Sequence, residues 1–149
     1  SITSTGPASC RVGLTVTNTG DRAGSDVVQL YVSPPPSKFT RPKNQLAGVA
    51  KVHLGAGESQ QVTIDLSPRS FALWDPANQD HVEAHKRLAG SGAGVGLSGG
   101  SSDATEAGWY VEAGDYELNL ARSVADVVAC ETFTMRDPLG PLTNEQSLP

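Results

Sequence analysis

The residues best suited by type and spacing to chemistry lie in the middle of this 149-residue chain. Gly94-Val95-Gly96-Leu97-Ser98-Gly99 has the glycine spacing of a dinucleotide loop, in which bare backbone amides approach a pyrophosphate at the start of a helix. The overlapping Gly96-Leu97-Ser98-Gly99-Gly100 has the spacing of a nucleophile elbow, which displays a serine on a strand-to-helix turn. Both devices need flanks that are missing here. No strand pattern precedes the tract, no helical pattern follows it, and every histidine precedes Ser98, whereas in that hydrolase fold the histidine follows the serine. A glycine-serine tract produces such matches by composition, so no cofactor is expected.

His81 and His85 are spaced i, i+4 and would share one face of a short helix, the geometry by which two imidazoles grip a metal ion. Glu83 falls on another face and no third ligand is evident, so a solvated helix face is the simpler reading and no metal is expected. Glycosidic hydrolysis needs two carboxyl groups at a set separation, one of them desolvated. Asp65 and Glu117 fall on the polar faces of strands and Asp75, Glu112 and Asp115 in turns, so all five are expected to be solvated and no pair is marked as catalytic. Cys10 and Cys130 lie near opposite ends of the chain, where a disulfide would contribute about 4 to 5 kcal/mol in the chain-entropy account. Two separate buried thiols are the alternative, and a bridge would argue for export.

The elements that must position these groups read as strands. Cys10, Val12, Leu14 and Val16 alternate with Arg11, Gly13, Thr15 and Thr17, giving one apolar and one polar face. Asn18-Thr19-Gly20-Asp21 turns the chain into a second strand, Val27 to Val32. Ser33 to Asn44, with Pro34-Pro35-Pro36, excludes helix and ladder and predicts a stiff crossing loop. Leu46 to Leu54 and the alternating Val62, Ile64 and Leu66 form a meander about Gly55-Ala56-Gly57-Glu58. Phe71 to Trp74, Trp109 to Val111, Tyr116 to Leu120 and about Val127 to Met135 complete the set. Between them, a short helix is expected over His81 to Ala89 and a mobile glycine-rich insertion beyond it, within a departure from the pattern over 76–108.

Seven or eight short strands without helical pattern predict an all-β, antiparallel two-sheet sandwich with Greek-key connections, a core over about 9–136 and an irregular tail over 137–149. Tyr116, opening a strand just after Ala113-Gly114, has the placement of a tyrosine corner. At 149 residues one domain is the default, able to bury roughly two thirds of its extended-chain surface. A hydrophobic fraction of 38%, with 16 glycines and 10 prolines, favours turns and short strands over long helices. Net charge is -5 with the acids dispersed, which argues against nucleic acid as a partner. No apolar run reaches membrane-spanning length, and Ser1 to Pro7 lacks a charged-then-apolar leader pattern, so a mature or excised soluble piece is expected.

Several segments in order carry a resemblance. Val16-Thr17-Asn18-Thr19-Gly20-Asp21-Arg22-Ala23-Gly24 through Val32 resembles the hallmark segment of the fibronectin type III-like domain that ends many glycoside hydrolase family 3 enzymes. Arg41-Pro42-Lys43-Asn44-Gln45-Leu46-Ala47-Gly48-Val49-Ala50-Lys51-Val52 resembles that family's RPxKxLxGFxKV run. Gly57-Glu58-Ser59 is similar to its turn, Arg69 to Asp75 to its closing strand, and Val111-Glu112-Ala113-Gly114-Asp115-Tyr116-Glu117-Leu118 to its E-x-G-x-Y-x-L strand. Val49 replaces a usual aromatic, implying a smaller plug in the core, and the stretch from about Pro76 to Gly108 exceeds the usual link. In that family the nucleophile and the acid/base carboxylate lie in other domains, so the resemblance implies no catalytic residue here.

The resemblance implies a non-catalytic accessory domain that packs on the catalytic domains of a β-glucosidase-like parent; separately, an extracellular location is expected. The contact is expected over Pro34 to Leu46, with Lys38, Arg41 and Lys43 pairing with a neighbour's acids while Phe39, Pro42 and Leu46 bury apolar area. The alternative is a carbohydrate- or lignocellulose-binding module stacking polysaccharide on Trp74, Trp109 and Tyr110. A cell-surface adhesion domain rests on fold analogy alone.

Overall fold

The computed structural model describes residues 1–37, 39–75 and 107–143. The helix expected over His81 to Ala89, and all of the 76–108 insertion except Ala107 and Gly108, lie outside the described residues. Nine strands are described: β1 (Ile2–Gly6), β2 (Ser9–Thr17), β3 (Gly24–Ser33), β4 (Gln45–Leu54), β5 (Ser59–Leu66), β6 (Leu73–Asp75), β7 (Gly108–Tyr110), β8 (Gly114–Ser123) and β9 (Asp126–Met135). One turn of 3-10 helix, Pro68–Ser70, precedes β6. All pairings between strands are antiparallel.

Two sheets face each other, one ordered β1-β2-β5 and the other β4-β3-β8-β9, and β6-β7 forms a small third ladder. Register follows from the alternation in sequence. In β2 and β5, Cys10 lies opposite Leu66, Val12 opposite Ile64 and Leu14 opposite Val62, so one face of the pair is a continuous apolar strip. From the opposite sheet Leu30, Val32, Tyr116 and Leu118 meet it, each nearly fully buried. Phe71 fills the end of the sandwich, edge-on to Tyr116 at 5.2 Å and tilted against Phe133 at 5.5 Å.

The turns are set by identifiable groups. The Asn18 side-chain amide donates to the carbonyls of Arg22, Leu54 and Gly55 while its oxygen accepts from Gly20 N, tying the β2–β3 connection to the β4–β5 turn. Gly57, at φ +71°, takes the left-handed conformation that turn requires.

Two segments outside the expected core are placed by their pairing, and one expectation is corrected. The polar amino-terminal stretch is a strand, because Thr3 and Ser4 pair with Arg11 and Cys10 along the open edge of β2. The tail is ordered where it meets the body: Leu139 bridges Val111, and Leu142 N donates to the Trp109 carbonyl at 2.9 Å. Val49 is no core plug; it sits opposite Gln29 on the outside of the second sheet and is 58% exposed.

Candidate functional site

The loop between β3 and β4 is fastened to the end of the sandwich by a polar cluster centred on Arg41. Arg41 Nη2 donates to the Phe71 carbonyl at 2.9 Å and to that of Ala72 at 3.5 Å, while Nη1 meets Glu112 Oε2 at 3.5 Å. The other Glu112 oxygen accepts from Ser37 Oγ at 2.8 Å, and Ser37 Oγ in turn accepts from Phe39 N. The ion pair is shielded, with the Arg41 side chain 8% exposed and that of Glu112 19%. Arg41 therefore joins three segments remote in sequence.

Tyr116 completes the cluster. Its hydroxyl donates to the Glu112 carbonyl four residues upstream at 3.0 Å, which is the tyrosine-corner bond anticipated from its position. Burial pushes the phenol upward, with the Arg41 cation working in the opposite direction. On the outside of the sheet, Asn119 Nδ2 donates to Ser33 Oγ at 2.8 Å and Ser33 Oγ to Asn44 Oδ1 at 2.6 Å, which fixes the other end of the loop. The result is an open cleft of about 480 Å³ whose lining includes Pro34, Phe39, Arg41, Lys43 and Glu117.

The structure sorts the predicted contact residues. The half-buried Phe39 and the exposed Pro42 and Lys43 line this cleft, Leu46 is exposed on β4, and Lys38 lies outside the described residues. Arg41 is not available to a neighbour's acid, because Glu112 and two carbonyls already occupy its guanidinium. Glu112 and Asp75, read from sequence as solvated, are largely removed from water, Asp75 at 3% exposure. The clue to Glu112 was its place four residues before Tyr116, where the corner folds the chain back on itself.

The aromatic candidates divide by strand alternation. Trp74 and Trp109 lie directly opposite each other across β6–β7, ring centres 5.4 Å apart at 64°, and Trp74 is 49% exposed. The Arg69 guanidinium covers one face of Trp109 at 3.0 Å. Tyr110 points the other way and is 2% exposed, so it cannot share a stacking platform with them. Two edge-to-face indoles, one of them capped by a cation, do not make the flat row that sugar stacking needs.

The cysteine bridge does not form. Cys10 is buried between the sheets, whereas Cys130, paired with Asn119, faces outward from β9 and is exposed, so both thiols are free. Ser25 Oγ and His53 Nδ1 are 2.8 Å apart, but as an exposed cross-strand pair on an open sheet surface where water competes for both. Among the described residues no group of three or more His, Cys, Asp or Glu could hold a metal ion.

Residues 26–87 match the model of the fibronectin type III-like domain. An exo-alpha-(1->6)-L-arabinopyranosidase of Bifidobacterium breve is 34% identical over 134 residues, covering 90% of this chain and 14% of that protein. A thermostable beta-glucosidase B of Acetivibrio thermocellus is 31% identical over 121 residues, covering 81% of this chain and 12% of that protein. Among solved structures, a GH3 beta-glucosidase of Bifidobacterium adolescentis superposes with a TM-score of 0.70 at 32% identity, covering 97% of this chain and 18% of its own. The chain thus spans about 14% of the length of curated relatives such as the arabinopyranosidases of Bifidobacterium.

Proposed function

This chain carries a fibronectin type III-like domain, and from that premise we propose that it is a non-catalytic accessory domain of a β-glucosidase-like, family 3 glycoside hydrolase, bracing the catalytic domains of a longer polypeptide. One observation carries the reading: 97% of the chain superposes on only 18% of a GH3 beta-glucosidase, so the likeness is to one structural unit of that enzyme. The pinned loop fits the same role. A buried ion pair and its carbonyl contacts hold the loop in one shape, so little ordering entropy remains to be lost when its exposed Pro42, Lys43 and Leu46 meet a neighbour.

The test is the longer polypeptide with and without this segment. Deletion lowers the thermal midpoint and the rate of aryl β-glucoside hydrolysis, and the purified chain added in trans restores part of both. Unchanged stability and turnover after deletion, or glycoside turnover by the chain alone, would overturn the proposal. The second reading, polysaccharide binding, draws on the half-exposed Trp74, and retention of the chain on insoluble cellulose or xylan would support it. An extracellular location is part of the proposal but no longer draws on a disulfide; fractionation of the producing cells tests it.

A further inference from the structure

The two outer faces of the sandwich differ in kind. On the β1-β2-β5 sheet every outward position is polar or glycine: Thr3, Arg11 and Asp65 in one row, then Gly13 with Thr63, Thr15 with Gln61, and Thr17 with Ser59. A threonine and glutamine surface of this type is finished by water. On the β4-β3-β8-β9 sheet the central outward row runs Val49, Gln29, Ala121, Val127 across all four strands. Leu46 and Val27 flank it, and exposures are 51% for Leu46, 58% for Val49, 45% for Val127 and 39% for Val27.

The polar groups within this face are already satisfied from inside the chain. Gln29 Nε2 donates to the Arg122 carbonyl at 2.8 Å, and Gln29 Oε1 accepts from Tyr31 Oη at 2.6 Å. One row on, Asn119 donates to Ser33, whose hydroxyl donates in turn to Asn44. Covering the face would therefore leave these polar side chains paired, which removes the usual cost of burying amides and hydroxyls. Lys51 stands on this face directly opposite Val27, and Lys43 is exposed in the loop two residues before β4.

We infer that the outer face of the β4-β3-β8-β9 sheet is a docking surface for an adjoining domain of the same longer polypeptide, one that presents an apolar patch rimmed by carboxylates toward Lys43 and Lys51. This rests on the accessory-domain reading and extends it from the loop to the sheet. The occupant follows from length and continuity. The matched relatives are several-fold longer than this chain, which covers 14% of the first. The proline-rich loop runs directly into β4 at Gln45, and Leu46, the next residue, begins the apolar face, while Glu117 of β8 lines the loop's cleft, so loop and sheet adjoin.

Thiol accessibility reads the face directly. In a Cys130→Ser background, Val49→Cys and Val127→Cys report on the apolar face and Thr63→Cys on the polar one. In the longer polypeptide the first two react with a maleimide about tenfold or more slowly than the third, because a packed interface core excludes reagent, and in the 149-residue chain all three react alike. Equal rates in the longer polypeptide, or protection of Thr63→Cys alone, overturn the docking face; the accessory role still stands if deleting the domain lowers the thermal midpoint. Protection that appears in the isolated chain and grows with concentration identifies a second copy as occupant and also overturns the proposal. Failure of the accessory role shows separately, as a longer polypeptide whose stability and activity ignore the deletion.

Discussion

Arg41 and Arg11 each meet a carboxylate, and their surroundings give the two pairs opposite weight. Arg41 is shielded and holds two backbone carbonyls besides Glu112, so truncating it strands a carboxylate and two acceptors away from water. Breaking a buried pair from one side costs about 3 to 5 kcal/mol, and partial exposure of Glu112 places Arg41→Ala at roughly 2 to 4 kcal/mol, read as a lowered urea midpoint. Arg11 meets Asp65 in two contacts of 2.7 and 3.1 Å, but both side chains are more than half exposed. Arg11→Ala is expected to leave the midpoint unmoved within error, since solvent screening and side-chain entropy cancel most of such a contact. A residue-scale pH effect comes from Cys10, whose thiol burial pushes from 9.0 up to about 11. Burial disfavours the thiolate in the folded state, so its full contribution is present below the unfolded value and is lost as pH rises through the folded one. Stability measured by urea titration should fall between pH 9 and 11, and Cys10→Ala should flatten that decline; an unchanged slope in the variant would rule out the thiol as its source.

The strands show where alternation informs and where it is silent. β2, β3, β5 and β8 were legible because each has one polar and one apolar face, and a half-buried strand imposes that period of two. β1 was not, because an edge strand with Thr3 and Ser4 at its centre is held by backbone pairing to β2 and leaves little apolar signal. Val49 was misplaced because the resemblance alone put it in the core, whereas it lies opposite Gln29 on the outer face; Leu46 reaches that same face because Ala47 is an extra residue in β4, between Leu46 opposite Tyr31 and Gly48 opposite Leu30. A bulge reverses the face of everything beyond it, which counting alternate residues cannot detect. Glycines carry a related contrast. Gly48 faces inward, and a methyl group there would overlap Ile64 Cγ2 on the facing sheet, whereas one at Gly24 would meet nothing within 4 Å. Gly48→Ala is expected to cost about 1 to 3 kcal/mol by overpacking, while Gly24→Ala should be neutral or stabilising by up to about 1 kcal/mol through the unfolded chain. Thermal melts of the two variants decide it; a tolerated Gly48→Ala would mean that β4 and β5 can separate at little cost.

At the scale of the molecule, sequence order located the loop and the corner tyrosine, but not what fastens them, since Phe71 and Glu112 lie 30 and 71 residues beyond Arg41. Long-range partners leave no periodic mark, and the same holds for the end of the chain. Val111 and Leu139 exchange two backbone hydrogen bonds of 2.7 and 2.9 Å, and Leu142 N reaches the Trp109 carbonyl at 2.9 Å. Leu139 and Leu142 also pack against the core from positions that are half-buried. The tail is thus a clasp that joins the β6–β7 ladder to the sandwich. Three hydrogen bonds at about 1 kcal/mol each and two partly buried leucines at roughly 1 kcal/mol each set the scale of its contribution, less the entropy of ordering the tail. Ending the chain after Arg136 is therefore expected to lower stability by about 2 to 4 kcal/mol and to shift the tryptophan emission to longer wavelength, because Trp109 lies in the clasp. If the shortened chain keeps both its urea midpoint and its emission maximum, the residues after Arg136 do not secure β6–β7.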